Sequence, residues 1–130
     1  MTNKALIEEL KKAEKGSTEL DARIVALLNN AVVKRYPPSD NFGPHDYWQF
    51  WSKDGKHFLG SESKFPIRPH TTDLQCAVDH IPEKWLWRVL FNGKCYTFTM
   101  HRDMMAGEYI EAEASTPALA VWAGILQNIH

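Results

Sequence analysis

The feature that most constrains the fold is a pair of alternating apolar runs on either side of Asn92-Gly93. The apolar positions are Trp85, Trp87, Val89 and Phe91 before this pair and Tyr96, Phe98 and Met100 after it. Alternation with a period of two predicts strands with one apolar face, and Asn-Gly between them predicts a hairpin. With a two-residue loop, Phe91 pairs with Lys94, Val89 with Tyr96, Trp87 with Phe98, and Trp85 with Met100.

Helices are predicted on both sides of this hairpin. Thr72 as N-cap with Gln75 at N3 has the spacing of a capping box, and Pro82 ends that helix. A third strand is predicted from about Glu108 to Ala114, and Thr116-Pro117 starts an apolar last helix. The pattern after residue 71 is therefore α-β-β-β-α, with an antiparallel sheet packed between helices.

Two amphipathic helices are predicted at the N-terminus. The first covers about residues 4–15, with Gly16 as its C-cap, and the second begins after Ser17 or Thr18 and runs to about Asn29. A short connection between two helices predicts a helical hairpin within residues 1–32.

The segment 33–70 interrupts this regularity, because it holds five of the seven prolines. Within it, Tyr47–Ser52 and Lys56–Leu59 flank Asp54-Gly55, which predicts a β-hairpin. The whole chain is predicted to be one α+β domain of 130 residues, with a helical hairpin at 1–32, a loop and β-hairpin insert at 33–70, and the core at 71–130. A chain of this length that is 44% hydrophobic can bury a sizeable core.

Charge is distributed unevenly along the chain. Residues 1–102 hold all 15 Lys and Arg against 12 acids, whereas residues 103–130 hold four acids and no base. Binding to double-stranded nucleic acid draws on Lys and Arg contacts to phosphates. The C-terminal surface is therefore disfavoured as a nucleic-acid site, although α-β-β-β-α is also the order of elements in double-stranded RNA-binding domains.

No motif in the sequence fixes a reaction. The six histidines show no metal-ligand spacing, so we expect no catalytic residue, no metal and no cofactor. Cys76 and His80 share a helix face at i, i+4 spacing, which would suit a reactive thiol, but neighbouring apolar residues favour an inert, buried Cys76. Two cysteines make no disulfide framework, and no signal peptide or membrane span is recognised, so a cytoplasmic location is expected.

The middle segment is the better candidate for function. Between Tyr36 and Phe65 lie eight of the 15 aromatic residues, and between Lys34 and Arg68 lie six bases against four acids. Aromatic rings beside positive charge suit a nucleotide, a single strand or a protein partner. The predicted binding residues are Tyr47, Trp51, Lys53, His57, Arg68 and His70. The alternative is that the aromatic residues only cover a sheet, since alternation sends Tyr47, Gln49 and Trp51 to one side and Trp48 and Phe50 to the other.

Several motifs are spread over nearly the whole chain: Leu20-Asp21-Ala22-Arg23-Ile24, Trp51 with Asp54-Gly55, His70-Thr71-Thr72-Asp73-Leu74, Ala77, Ile81-Pro82, Trp85, Trp87, and Ala114-Ser115-Thr116-Pro117-Ala118-Leu119-Ala120. With these motifs the chain resembles the phage ABA-sandwich domain family. The resemblance implies small phage or prophage proteins with an alpha, beta, alpha layered fold, and it implies no activity.

Three functions are carried forward as expectations. The first is a non-enzymatic phage or prophage accessory protein that binds a host or phage protein, most plausibly as a stoichiometric inhibitor of a host defence component. The second is a protein that sequesters a small nucleotide signal, and the third is a small metal- or His-dependent hydrolase. No membrane role is expected, and self-association into a homo-oligomer is left open, because exposed aromatic residues would favour it.

Overall fold

A computed structural model describes residues 3–41, 43–102 and 109–128, and within them it places four helices and six strands. The elements in chain order are α1 Asn3–Lys12, α2 Thr18–Leu28, β1 Ala31–Tyr36, β2 Tyr47–Ser52, β3 Phe58–Ser61, α3 Leu74–Val78, β4 Trp85–Phe91, β5 Tyr96–Arg102, β6 Tyr109–Ala114 and α4 Pro117–Asn128. The predicted α+β class is confirmed. The chain divides into two compact units, Met1–Ser17 with Pro69–His130, and Thr18–Arg68.

The first unit is built on an antiparallel sheet of order β4-β5-β6. Helix α4 packs on β5 and β6, and α1 packs on α4. Thr116 caps α4 as predicted, since its Oγ1 accepts a hydrogen bond from the Leu119 N–H at 3.2 Å. The last strand was predicted to start near Glu108, which lies outside the described residues.

The predicted register of the β4-β5 hairpin is wrong by two residues. Phe91 pairs with Tyr96 and Trp87 with Met100. Each β4 side chain therefore lies on the predicted face of the sheet, but its partner is two residues further along β5 than predicted. The cause is the side chain of Asn92, whose Oδ1 accepts hydrogen bonds from the N–H groups of Lys94 and Cys95, both at 2.9 Å. Asn92 therefore opens the turn instead of sitting at its centre, where Gly93 lies at φ +96°.

The sheet of the first unit is covered unevenly. Phe98 and Met100 on β5 are fully buried, and so is Trp122 on α4. On the edge strand β4, by contrast, Trp87 is 44% exposed and Phe91 is 61% exposed. The aromatic residues of β4 therefore extend beyond the part of the sheet that α4 covers.

Two helix boundaries of the first unit differ from the predictions. Helix α1 ends at Lys12, so Gly16 is not its C-cap; a Cβ on Gly16 would lie 2.2 Å from the Thr71 carbonyl oxygen, which explains the glycine by close approach. The N-cap of α3 is Asp73 and not Thr72, because the Asp73 carboxylate accepts the Gln75 N–H at 3.0 Å. Helix α3 is also only five residues long.

The second unit contains a strand that the sequence analysis did not predict. Strand β1 pairs with β2, which pairs with β3, so the expected hairpin is a three-stranded antiparallel sheet. The Asp54-Gly55 turn is confirmed, with Gly55 at φ +76°. The core packs α2 against one face of this sheet, and its buried members are Ala22, Val25, Ala26, Ala31, Trp48 and Phe50.

Candidate binding face

The outer face of the β1-β2-β3 sheet combines aromatic rings with a cation. Antiparallel pairing sets Val32 opposite Trp51, Lys34 opposite Gln49, and Tyr36 opposite Tyr47. Paired residues of antiparallel strands project to the same side, so these side chains share one face. We call the set Lys34, Tyr36, Tyr47, Gln49, Trp51 and Phe58 the aromatic–basic face.

Trp51 is the centre of the aromatic–basic face. The Lys34 ammonium nitrogen lies 4.0 Å from the centroid of the Trp51 ring, within the range of a cation–π contact. The indole N–H of Trp51 donates to Gln49 Oε1 at 3.2 Å, which fixes the ring orientation. The Phe58 ring meets the indole edge-on, with centroids 5.5 Å apart, and Phe58 remains 52% exposed.

Tyr36 and Tyr47 extend the same surface along β1 and β2. Their ring centroids are 6.2 Å apart and the rings are tilted by 51°. Both side chains are half-buried, as is Trp51. The rings are thus held by their neighbours, while part of each remains available to a partner.

The opposite face of the sheet accounts for the other aromatic residues of β2. Trp48 is 4% exposed and Phe50 is fully buried, with the Phe50 ring 5.1 Å from that of Phe65. The alternation within β2 is therefore as predicted: Trp48 and Phe50 build the core, and Tyr47, Gln49 and Trp51 lie outside it. The covering interpretation therefore holds for Trp48 and Phe50, whereas Tyr47 and Trp51 lie outside the core.

The acids near the aromatic–basic face are engaged in local contacts. Asp46 accepts from Arg35 in an ion pair at 3.0 Å. Asp54 accepts from the Ser52 hydroxyl and from the Lys56 N–H, and these two hydrogen bonds, in that order of size, lower the pKa of Asp54 because they stabilise its carboxylate. The set of residues that defines the aromatic–basic face therefore contains Lys34 but no Asp or Glu.

The structure brings together only part of the predicted site. Tyr47 and Trp51 lie on the aromatic–basic face, and Lys53 and His57 are exposed in the β2-β3 turn, where the His57 N–H donates to Ser52 Oγ at 3.1 Å. Arg68 is exposed at the end of the second unit. His70 belongs to the first unit and is 2% exposed, with its Nδ1 at 3.3 Å from Cys76 Sγ.

Sequence reasoning missed Lys34, Tyr36, Gln49 and Phe58 as members of this surface. A signal existed in Val32-Val33-Lys34-Arg35-Tyr36, because adjacent β-branched residues and a tyrosine are enriched in strands. Recognition of β1 would have placed Lys34 and Tyr36 on one face, but only the pairing register sets them opposite Gln49 and Tyr47.

Two further observations bound the chemistry. Within the described ranges, no three or more His, Cys, Asp or Glu residues are grouped so that they could hold a metal ion. No helix in the described part of the chain has the length and apolar character needed to cross a bilayer.

Comparisons with known proteins supply no relative, since no protein-family model, no curated protein and no solved structure matches the chain.

Proposed function

We propose that this protein acts by binding, without catalysis, and that the aromatic–basic face contacts a macromolecular partner. The observation that carries the proposal is the Lys34 ammonium held 4.0 Å above the Trp51 ring on an outward sheet face. A structural role alone accounts for Trp48 and Phe50 on the core side of the sheet, but it leaves the half-exposed rings on the other side unexplained.

The composition of the aromatic–basic face suits a protein partner. Trp and Tyr dominate binding energy at protein interfaces, where their rings become fully desolvated. Here the rings are arranged on a β-sheet, so a partner would meet them already ordered and lose little side-chain entropy on binding. Lys34 favours a partner that brings a carboxylate to the centre of the contact, because burial beside the indole would strengthen such a pair.

The identity of the partner is proposed from the resemblance to phage ABA-sandwich proteins. Phage accessory proteins act on the host or on other phage components, so we propose a host or phage protein as the partner and a component of host defence as the target. Inhibition would be stoichiometric, since it would follow from occupying the partner's surface.

The test is affinity capture from a bacterial host lysate with the tagged full-length protein. Three baits are compared: wild type, Lys34→Glu, and Lys4→Glu. Both lysines are exposed, and Lys4 lies on α1 in the first unit, so the two variants change charge equally at different places. The proposal expects a protein that wild type and Lys4→Glu enrich equally and that Lys34→Glu loses.

Two outcomes of the capture experiment would contradict the proposal. If no protein is enriched, or if both charge variants retain the same partner equally, the aromatic–basic face is not the binding surface. Circular dichroism of each bait shows whether the variant is folded, which is expected because Lys34 is exposed.

Sequestration of a small nucleotide signal is a second candidate that Lys34 and Trp51 also support, because a base can stack on the indole while the ammonium contacts a phosphate. A thermal-shift panel of mono- and dinucleotides separates the two functions. A ligand at about 100 times its dissociation constant would add roughly 2.7 kcal/mol to the free energy of unfolding. A panel that leaves the melting temperature unchanged would exclude nucleotide sequestration.

A further inference from the structure

A cluster of two histidines, a cysteine and a tryptophan lies in the first unit, apart from the aromatic–basic face. His70 Nδ1 is 3.3 Å from Cys76 Sγ. The His70 ring also packs edge-on against the Trp122 ring, with centroids 5.0 Å apart, and against the His80 ring at 5.0 Å. His70 and Trp122 are buried, while Cys76 and His80 are half-buried.

The two histidines have different roles toward Cys76. A carbonyl oxygen only accepts hydrogen bonds, so the 2.9 Å contact between His80 Nδ1 and the Cys76 carbonyl oxygen requires His80 to donate. The i, i+4 spacing of Cys76 and His80 therefore places His80 Nδ1 against the Cys76 backbone carbonyl instead of the thiol. The imidazole beside the sulfur belongs to His70, six residues earlier in the chain.

The His70 ring is fixed beside the Cys76 sulfur, and an imidazole within hydrogen-bond reach of a thiol can accept its proton. The ring packs edge-on against Trp122, with centroids 5.0 Å apart. The turn that carries His70 is also fixed, because Thr71 Oγ1 accepts the Ser17 N–H at 3.0 Å and donates to the Ser17 carbonyl at 3.2 Å. The imidazole is therefore held beside the sulfur by contacts that do not involve Cys76.

We propose that Cys76 and His70 form a thiolate–imidazolium pair and that Cys76 is a thiol-exchange site for small-molecule disulfides. The Cys76 sulfur attacks one sulfur of the disulfide, the bond between the two disulfide sulfurs breaks, and a mixed disulfide forms on Cys76. The other sulfur leaves with the electron pair and takes the proton from His70 Nδ1. A small thiol reverses the reaction, so the modification is a reversible redox mark.

Cys95 provides an internal control within the same chain. It is half-buried like Cys76, and it lines a groove with Lys11, Glu111 and Glu113. Its sulfur lies 3.8 Å from a Glu113 carboxylate oxygen and 3.5 Å from Asn92 Nδ2. Cys95 is therefore a reference thiol of comparable exposure with different neighbours, and the His70→Asn variant isolates the effect of His70.

Other ionisable groups lie near Cys76. Asp73 and Asp79 flank it on the α3 segment together with His80, and Lys15 lines a groove with Thr71 and Thr72. Helix α4, which packs on α3, carries no ionisable side chain within its described residues. The His70→Asn and His80→Asn variants separate the contribution of the Cys76–His70 pair to the pH dependence from that of His80.

The expected rate difference follows from two opposing effects. An ordinary cysteine with a pKa near 8.5 is about 1% thiolate at pH 6.5, so full ionisation raises the reactive fraction roughly 100-fold. A thiol acidic enough to be fully ionised at pH 6.5 is also a weaker nucleophile, and with a Brønsted slope of about 0.5 this removes about 30-fold. The net expectation at pH 6.5 is that Cys76 exchanges about threefold faster than Cys95.

The experiment measures the rate of mixed-disulfide formation with glutathione disulfide by intact mass, from about pH 5.5 to 9. The full-length Cys95→Ser variant reports on Cys76, and Cys76→Ser reports on Cys95. In the Cys95→Ser background, His70→Asn keeps a nitrogen near the position of Nδ1 but cannot hold a positive charge. His80→Asn is the matched control.

The expected result is an excess of about threefold for Cys76 at pH 6.5, lost in His70→Asn and kept in His80→Asn. A Cys76 rate equal to or below that of Cys95 would overturn the proposal without any change at His70. An equal loss in both histidine variants would overturn the assignment of His70 as the partner of the thiol. Circular dichroism shows whether each variant is folded.

Discussion

A single methyl group at Gly124 should disrupt the packing of α4 on the sheet of the first unit. It lies in the middle of α4, and a Cβ built on it would be 2.3 Å from Cδ2 and 2.5 Å from Cε2 of Phe98. Carbon atoms in contact are normally about 3.5–4.0 Å apart. Since Phe98 is fully buried on β5, its ring cannot turn outward, and Gly124→Ala must push α4 away from the sheet.

The magnitude combines a loss with a smaller gain. Overpacking of a core typically costs about 1–3 kcal/mol, and a deficit of more than about 1 Å calls for the upper end. Replacing a mid-helix glycine by alanine returns about 1 kcal/mol through helix propensity. Gly124→Ala should therefore lower the free energy of unfolding by about 2 kcal/mol, which corresponds to a melting temperature lower by roughly 8 °C for a chain of this size.

The assay is urea unfolding in a double-mutant cycle with Phe98→Leu. Leucine has no rigid ring and no Cε2, and its δ-methyl groups can rotate away from the new methyl group, so Gly124→Ala should cost at least about 1 kcal/mol less in the Phe98→Leu background. A neutral or stabilising Gly124→Ala in the wild type, or an equal cost in both backgrounds, would refute the packing of α4 on β5 described here.

Three further predictions concern turns and carboxylates. Asn92→Ala should lower the free energy of unfolding by about 1 kcal/mol in urea titrations, because it removes the acceptor of two turn N–H groups. The pKa of Asp54 is lower in the folded protein than in the unfolded chain, chiefly because the Ser52 hydroxyl donates to its carboxylate. The ionised carboxylate therefore stabilises the fold at pH values above the unfolded-state pKa of about 4, and this stabilisation is lost as the pH falls through the folded-state pKa. Asp54→Asn should therefore unfold more easily than wild type near neutral pH, and the two midpoints should converge in acid. The Glu111 carboxylate accepts the Tyr109 hydroxyl at 2.8 Å and raises the pKa of Tyr109, so Glu111→Gln should bring a tyrosine transition to lower pH in an ultraviolet difference titration.

The class and most elements of the fold could be predicted because their signals are local. Alternation and caps gave β4, β5 and α4, and β2 was predicted with its observed bounds. Strand β1 was missed because only pairing with β2 turns a short run ending at Pro37 into a strand. The prediction of the β4-β5 register failed because the turn is set by Asn92 Oδ1, which accepts hydrogen bonds from the backbone of Lys94 and Cys95. A pattern of apolar residues gives no information on such a contact.

The candidate site was less predictable, since it depends on contacts between strands and between distant residues. Trp51 and Tyr47 could be named from alternation within β2, whereas Lys34 required the β1-β2 register. His70 was named as a binding residue on composition, but the structure buries it beside Cys76. The helical spacing of Cys76 and His80 is present in the structure, but it did not identify the histidine beside the thiol, because His80 Nδ1 donates its hydrogen bond to the Cys76 backbone carbonyl.

The central claim is that the aromatic–basic face is a binding surface, and Trp51 tests it most directly. The measurement is the dissociation constant of the captured partner for wild type, Trp51→Ala and Leu86→Thr, the last being an exposed apolar residue on β4. Loss of a central aromatic residue from an interface typically costs about 2 kcal/mol or more, which is roughly 30-fold in affinity. The account predicts that loss for Trp51→Ala and an unchanged constant for Leu86→Thr; unchanged binding by a folded Trp51→Ala would contradict it.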